Sequence, residues 1–365
     1  MIAPRLPFSY AQQPFIVIWE ATRACDLACA HCRATAQPNA DPAELNDDEV
    51  RTMMARIREA FGPVLFVVTG GDPLKRPGLL DLIAYGASIG LRMAITPSAT
   101  PLLTRDAICS LQQAGIQRMA LSLDGADAAT HDSFRGVAGT WERTLSALSI
   151  AKDIGLDRQL NSSIGRHNRD QLEAIADIAS WYEISLWAVF ILVPTGRAQR
   201  DMLLSPLEHE RIYRSLAHLA INPETSFDIK TTAGQAYYRV RQQVMRAAGM
   251  DAPTSVTLGR GGMRAPGGVN DGSGLLFIAH TGAIQPSGFL PLTCGNVRND
   301  DLAETYRTHP IFTRLRDKAA FSGKCGQCEF AEVCGGSRGR SYALTGDAFG
   351  SDPTCLYQPR TCEKT

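Results

Sequence analysis

The sequence predicts an α/β fold in which six βα units build a parallel sheet, open or closed as a partial barrel, with a small module after it. Three observations carry this. Strand-like apolar runs alternate with amphipathic stretches from residue 15 to about residue 193. Gly90, Gly115 and Gly155 each stand just past a helical pattern and shortly before a strand, where a helix C-cap glycine belongs. The repeated helix-to-strand connection calls for parallel strands, and such sheets carry functional residues at the C-terminal ends of those strands.

In chain order, the strands fall at 15–20, 64–69, 91–96, 117–123, 158–164 and 185–193, with helices at 47–61, 104–114 and 168–182 between them. After Pro194 the pattern changes. Residues 206–221 and 233–248 read as helices, and 247–274 holds eight glycines, which suits a flexible loop or lid. That stretch has no phosphate-loop sequence, and its glycines do not sit between a strand and a helix as in a dinucleotide fingerprint. From residue 275 onward short β-like pieces, turn residues and cysteines dominate, and no repeat beyond the βα period is present. The chain therefore divides into an N-terminal arm (1–14), a partial barrel (15–200), a helical linker with a Gly-rich loop (201–274) and a cysteine-rich module (275–365).

Composition narrows the function. With 37 basic and 37 acidic residues and 44% hydrophobic content, the 365-residue chain has the make-up of a soluble globular protein, which argues against a charge-driven nucleic-acid or membrane binder. The longest apolar run, 186–194, is far shorter than the roughly 20 residues a membrane helix needs, and the N-terminus lacks a signal pattern. A cytoplasmic location is expected. Ten cysteines in a reducing compartment point first to metal binding. They fall in two groups, Cys25, Cys29 and Cys32 near the start and Cys294, Cys325, Cys328, Cys334, Cys355 and Cys362 in the last quarter, with Cys109 apart and read as a small buried hydrophobe.

The first group follows the first strand directly, in the pattern C-x3-C-x2-C. A cubane 4Fe-4S cluster takes four thiolates, so three leave one iron open to a small molecule bound through amino and carboxylate groups. An electron passed into that complex can break a bond in it. Structural zinc competes, but its sites close with four ligands and favour paired C-x2-4-C spacings.

The segment from Trp19 to Arg33, W-E-A-T-R-A-C-D-L-A-C-A-H-C-R, resembles the cluster loop of radical S-adenosylmethionine (SAM) enzymes. Further landmarks follow in the family's order over residues 15–200. Thr69, Gly70, Gly71, Asp72 and Pro73 resemble the GGE-type motif whose backbone and acidic side chain hold the methionine amino group, with Asp72 in place of the commoner Glu. Ser122, Leu123, Asp124 and Gly125 resemble an SLDG segment that contacts SAM; taken alone they read as a β-turn with Asp124 capping a helix. The stretch H-D-S-F-R-G from His131 resembles one whose arginine, here Arg135, meets the SAM carboxylate. By the same resemblance Ser163 serves the ribose, Leu192 flanks the adenine and His31 packs on it. These likenesses imply a partial (β/α)6 barrel and reductive cleavage of SAM to methionine and a 5′-deoxyadenosyl radical that abstracts hydrogen from a substrate. They also imply a low-potential electron donor such as a flavodoxin or ferredoxin.

Cys325, Cys328, Cys334 and Cys355 supply four thiolates, enough to close a second site, and from spacing alone zinc and iron-sulfur stand level. The segment resembles the SPASM or shorter twitch module of radical SAM enzymes, which implies an auxiliary 4Fe-4S cluster. Ser337 and Ser287 stand where related sequences carry further cysteines, so one auxiliary cluster is expected and Cys294 and Cys362 stay unassigned.

The C-terminal half resembles the haem-biosynthesis branch, which includes iron-coproporphyrin decarboxylases and the haem d1 enzyme. The matching stretches are P-S-G-F-L-P-L from Pro286, G-N-V-R from Gly295 and S-R-G-R-S-Y-A-L-T-G-D from Ser337. This implies a small, carboxylate-bearing substrate, a tetrapyrrole or a sugar acid, undergoing decarboxylation or side-chain modification. Only about 14 residues precede the first strand, so the peptide-recognition domain of peptide-modifying relatives is not expected. A peptide-modifying radical SAM/SPASM maturase and a non-catalytic iron-sulfur or zinc scaffold are the competing classes. Arg338 and Arg340 read equally as forks for substrate carboxylates and as surface charges, and the sequence singles out no general acid or base.

Overall fold

A computed structural model describes residues 9–250, 258–259, 262–263 and 269–360. Cys362, the first eight residues and most of the Gly-rich stretch lie outside the described residues. All six expected strands are present: β1 (Ile16–Glu20), β2 (Leu65–Thr69), β3 (Arg92–Ile95), β4 (Arg118–Ser122), β5 (Asp157–Ile164) and β6 (Leu186–Ile191). Each pairs in parallel with the next.

The sheet extends beyond these six at both ends. A seventh parallel strand, β7 (Asp228–Thr232), adds to β6. Sequence patterning missed it because D-I-K-T-T carries a single aliphatic residue and two charges, the polar make-up of an edge strand. On the other side β8 (Leu275–Ile278) lies parallel to β1, matching Ile16 with Leu275 and Trp19 with Ile278, and β9 (Ala283–Gln285) and β10 (Gly295–Asn296) continue it antiparallel. The resulting order is β10-β9-β8-β1-β2-β3-β4-β5-β6-β7, a ten-stranded open sheet with the predicted partial barrel at its centre.

The helices follow from local chemistry. The first, α1 (Asp47–Phe61), starts on a capping box between Asn46 and Glu49 and carries Asp47, Asp48 and Glu49 in its first turn. After α2 (Leu79–Ser88), α3 (Arg105–Gln113) begins at Thr104, whose hydroxyl accepts the Ala107 N–H. Gly90, Gly115 and Gly155 do take the left-handed conformation past their helices. Two helices follow β4, α4 (Ala128–Arg135) and α5 (Thr140–Asp153); the cap of α4 is Asp127, so Asp124 is free of that role.

Sequence periodicity started the next helix at 168, yet α6 spans Leu172–Trp181. The reason is Asn168, whose amide donates to the Asp124 and Ser163 carbonyls and holds the preceding turn against the neighbouring loop. Then come α7 (Pro206–Ile221) and α8 (Ala236–Ala247), and in the last quarter α9 (Leu302–Thr308), α10 (Pro310–Arg316), α11 (Gly323–Gln327) and α12 (Arg338–Thr345). The core is continuous across the central strands, with Val17, Trp19, Phe66, Met93, Leu160 and Trp187 fully buried. Because all the central strands point the same way, their C-terminal loops share one rim.

Candidate active site

The rim gathers the first cysteine group. Cys25, Leu27 and Cys29 form one buried cluster against which Cys32, Ala36 and Val137 pack. Three neighbouring loops hold this segment. The Gly71 and Asp72 N–H groups donate to the Thr22 and Ala24 carbonyls, both at 2.7 Å. Ala30 N–H donates to the Phe134 carbonyl, and Arg197 N–H to that of Cys32. From below, Glu44 accepts the Thr22 hydroxyl at 2.7 Å and the Arg23 N–H at 3.0 Å. Each thiol receives a hydrogen bond: Cys25 from Leu27 N–H, Cys32 from Ala36 N–H and Cys29, at 3.8 Å, from Arg135 Nη1.

Gly70 and Gly71 are dictated by close approach. A Cβ on either would lie 2.4 Å from a backbone carbonyl of the cysteine loop, that of Thr22 or of Ala24. The Asp72 side chain is held by the neighbouring loops. Its carboxylate is fully buried, with Oδ1 taking the Leu74 and Ser98 N–H groups and Oδ2 the Thr100 hydroxyl at 2.7 Å. Burial raises its pKa despite those bonds.

Further round the rim, Asp124 and Arg135 form an ion pair of 2.5 Å. Asp124 also accepts the Ser163 N–H at 2.6 Å, while its own N–H donates to His131 Nδ1. Burial opposes ionisation of Asp124, but the Arg135 charge outweighs it and holds the carboxyl down at about 2. Arg135 thus meets Asp124 with one terminal nitrogen and Cys29 with the other. Ser122 ends β4 opposite Asn161 in register, its carbonyl accepting from the Thr144 hydroxyl. Leu192 is buried with Phe134, Ala198 and Leu203. Phe134 is stacked between His31, at 4.2 Å, and His167, at 3.7 Å between ring centroids. His31 keeps part of its surface exposed, but desolvation of the ring pushes its pKa down to about 3.

This neighbourhood holds polar atoms that are buried and have no partner: His31 Nδ1, Arg135 Nε, His167 Nε2 and Arg197 Nε and Nη2. The charges of Asp124, Arg135, His167 and Arg197 all act on His31, so these atoms lie around one place. Buried unpaired donors call for a ligand. Sequence reasoning missed several of these residues. Ser98 follows the third strand, to which no motif had been assigned, and its hydroxyl lies 3.7 Å from Cys25 Sγ and donates to the Gly71 carbonyl at 2.9 Å. Phe134 sat inside the quoted H-D-S-F-R-G stretch without a role, and Arg197 follows the sixth strand with no motif assigned. His280 had no signal at all: its Nδ1 meets Glu20 at 2.7 Å from the far end of the chain, and Glu20 also binds Arg33, the residue after Cys32. Burial would raise the Glu20 carboxyl, yet Arg33 and His280 hold it at about 2.

Cys325, Cys328, Cys334 and Cys355 line one cavity, together with Arg239, Lys324, Asp352 and the backbone of Gly335 and Gly336. Both glycines are left-handed, and a Cβ on Gly336 would lie 2.9 Å from Cys325 Sγ. Burial pushes the Cys334 thiol up to about 12 and raises Cys328 and Cys355. Among the described residues no three His, Cys, Asp or Glu side chains converge as they would on a single metal ion. The four thiols face a shared space instead. Ser337 and Ser287 are buried and occupied, Ser337 capping α12 by accepting the Arg340 N–H and Ser287 accepting the Phe289 and Leu290 N–H groups.

Other expectations need correction. Arg338 and Arg340 are neither surface charges nor substrate forks: both are fully buried, Arg340 paired with Asp352 at 2.7 Å and Arg338 wrapped by the Gly336, Ala348 and Gly350 carbonyls. Cys109 is only partly buried on α3. Cys294 packs at the edge of the main core, away from the thiol-lined cavity.

A barrel rim that presents three thiols beside unpartnered polar groups, with four more thiols in a second cavity, defines a cofactor-dependent enzyme with two thiol centres. Residues 19–179 match the Radical SAM superfamily. The chain is 37% identical over 348 residues to the AdoMet-dependent heme synthase of Nitratidesulfovibrio vulgaris, covering 94% of this chain and 93% of that protein. It is 26% identical to the Fe-coproporphyrin III synthase of Methanosarcina barkeri, covering 96% and 89%. In fold it matches the crystal structure of Streptococcus suis SuiB bound to S-adenosylmethionine, with a TM-score of 0.71 and 16% identity over 95% of this chain and 78% of that one. The chain belongs to the radical SAM superfamily, in the branch that holds these haem-synthesis proteins, and is an enzyme that uses SAM and 4Fe-4S clusters. No helix among the described residues is long and apolar enough to cross a membrane.

Proposed function

We propose that this enzyme removes carboxyl groups from the propionate side chains of a tetrapyrrole in the cytoplasm. The observation that carries this is the 37% identity to an AdoMet-dependent heme synthase along nearly the whole of both chains. Cys25, Cys29 and Cys32 hold the SAM-binding cluster. Cys325, Cys328, Cys334 and Cys355 hold the auxiliary one. With SAM bound, the first cluster supplies a radical able to abstract hydrogen from an unactivated carbon.

The chain's own part is positioning and exclusion. Gly70 and Gly71 let the second loop press on the cysteine loop, and Asp72, Ser98 and Thr100 fix that contact. His31, Phe134 and Leu192 form the apolar wall for the adenine, with Asp124, Arg135 and Ser163 behind it. The unpartnered Arg197 nitrogens supply donors for a carboxylate or a heterocycle. Residues 15–200 act as the SAM-handling unit and 275–365 as the auxiliary one. Electrons enter from a low-potential flavodoxin or ferredoxin, and all nine described cysteines are free thiols, as a reducing compartment keeps them.

The test is anaerobic reconstitution with iron and sulfide, followed by turnover of iron-coproporphyrin III with SAM and dithionite. The reading expects 5′-deoxyadenosine in step with carboxyl groups lost, seen by mass spectrometry. Deoxyadenosine with an unchanged porphyrin sinks it. A peptide reading then gains ground, since the PqqA peptide cyclase of Rhodopseudomonas palustris is 25% identical over 95% of this chain and 88% of its own length.

A further inference from the structure

Two arginines touch cysteine sulfurs, and they differ in one respect. Arg135, at Cys29, is neutralised by Asp124 at 2.5 Å. Arg338, at Cys325, has no carboxylate within ion-pair distance among the described residues. It is fully buried, its Nη2 is 3.4 Å from Cys325 Sγ, and its other nitrogens donate to backbone carbonyls. A buried charge without a counter-charge is costly unless something nearby is negative.

The surroundings add to the imbalance. Lys318 and Arg338 lie over the Phe321 ring, at 5.1 and 4.6 Å. Lys318 Nζ donates to the Leu315 carbonyl, and Lys324 Nζ, in the cavity wall, donates to the Cys355 carbonyl at 2.7 Å. Of the carboxylates around the cavity, Asp352 is paired with Arg340 and Glu210 with Arg239. The charge of the buried Asp271 acts on both Arg338 and Lys318, and that of Glu332 on Lys318. Arg338, Lys318 and Lys324 therefore stand near the four thiols with no carboxylate in ion-pair contact among the described residues.

We propose that Arg338 is a built-in counter-ion of the auxiliary centre and, with Lys318 and Lys324, raises that centre's midpoint potential. The inference rests on the reading that the four thiols hold a 4Fe-4S cluster. Reduction adds one negative charge there, and a fixed cation at hydrogen-bond distance from a ligand sulfur stabilises the reduced form more than the oxidised one. The Gly336 and Asp352 N–H groups, each 3.4 Å from a ligand sulfur, act in the same sense.

The test uses full-length protein with Cys25, Cys29 and Cys32 changed to Ala, so that the auxiliary cluster is read alone by EPR-monitored redox titration. Adding Arg338→Gln is expected to lower the ratio of reduced to oxidised cluster at the parent midpoint roughly tenfold, the weight of one charge-assisted hydrogen bond. Arg338→Lys should recover most of the loss, and Lys324→Met should give a smaller shift in the same direction. An unchanged midpoint in Arg338→Gln at full iron content overturns the proposal. Should that variant fail to hold iron, Lys318→Met and Lys324→Met decide: a fall in midpoint upholds it, and no shift in either overturns it. If the parent binds no iron-sulfur cluster at Cys325, Cys328, Cys334 and Cys355, the cluster reading fails first.

Discussion

Arg135 lies 2.5 Å from the fully buried carboxylate of Asp124 and reaches Cys29 Sγ at 3.8 Å with another nitrogen, so one guanidinium joins the fourth strand to the cysteine loop. Removing only the carboxylate strands a buried cation. Asp124→Asn is therefore expected to cost about 3–5 kcal/mol of stability. The double change Asp124→Leu with Arg135→Met should cost markedly less than the sum of its single changes. Anaerobic denaturant titration of the four proteins completes the cycle, and additive losses would refute the coupling.

Ser98 joins Cys25, Gly71 and Asp72 through its hydroxyl and backbone. Ser98→Ala removes the hydroxyl and leaves the fold. SAM affinity, read by equilibrium dialysis on reconstituted protein, should weaken about fivefold, the weight of one ordinary hydrogen bond. An unaltered affinity means the bridge matters only to packing.

Gly71 has no space for a side chain, because a Cβ would meet the Ala24 carbonyl at 2.4 Å and that of Arg23 at 2.7 Å. Gly71→Ala should push the cysteine loop off β2. The measurable result is iron content: it should fall by about half with the auxiliary cluster retained, four metal ions of about eight. Full iron in that variant would show that the loop tolerates the displacement.

Acid should destabilise the protein well above the carboxylate range. Burial holds His131 and His209 neutral, each with its pKa lowered to about 4. An unfolded chain protonates them near 6.5, so their share of stability is whole above that pH and drains away as pH falls from 6.5 to 4. The share is at most about 3 kcal/mol for each. His209→Gln should flatten the slope of unfolding free energy between those pH values, and a slope as steep as the parent's would contradict the assignment.

The two thiol sites should separate on mutation. Cys29→Ala is expected to abolish reductive SAM cleavage, whereas Cys328→Ala should spare part of the uncoupled cleavage and lose the auxiliary iron. Deoxyadenosine yield and iron count on the same samples check both. Cleavage surviving in Cys29→Ala would remove the first site from the chemistry.

Much of the fold was legible because central strands and capped helices advertise themselves locally. The runs around Phe66, Met93 and Leu160 are apolar, and Asn46 and Glu49 mark the start of α1 three residues apart. The strand Asp228–Thr232 was not legible, since an edge strand is half polar. The cysteines were readable as motifs, but the partners that fix them were not. Ser98 sits in a loop with no pattern of its own. Glu20 and His280 meet across 260 residues, and only the pairing of the sheet makes them neighbours. Arg338 read equally as a substrate fork and as a surface charge because sequence shows its type and not the carbonyls that enclose it.

The ladder between β1 and β8 ties the strand that leads into the first thiol group to the strand that opens the cysteine-rich module. Ile16 to Trp19 and Leu275 to Ile278 run side by side in parallel, so the loop leaving each strand departs from the same rigid line. A slip of that ladder by one residue would carry one site past the other by about 3.3 Å, turning a fixed separation into a variable one.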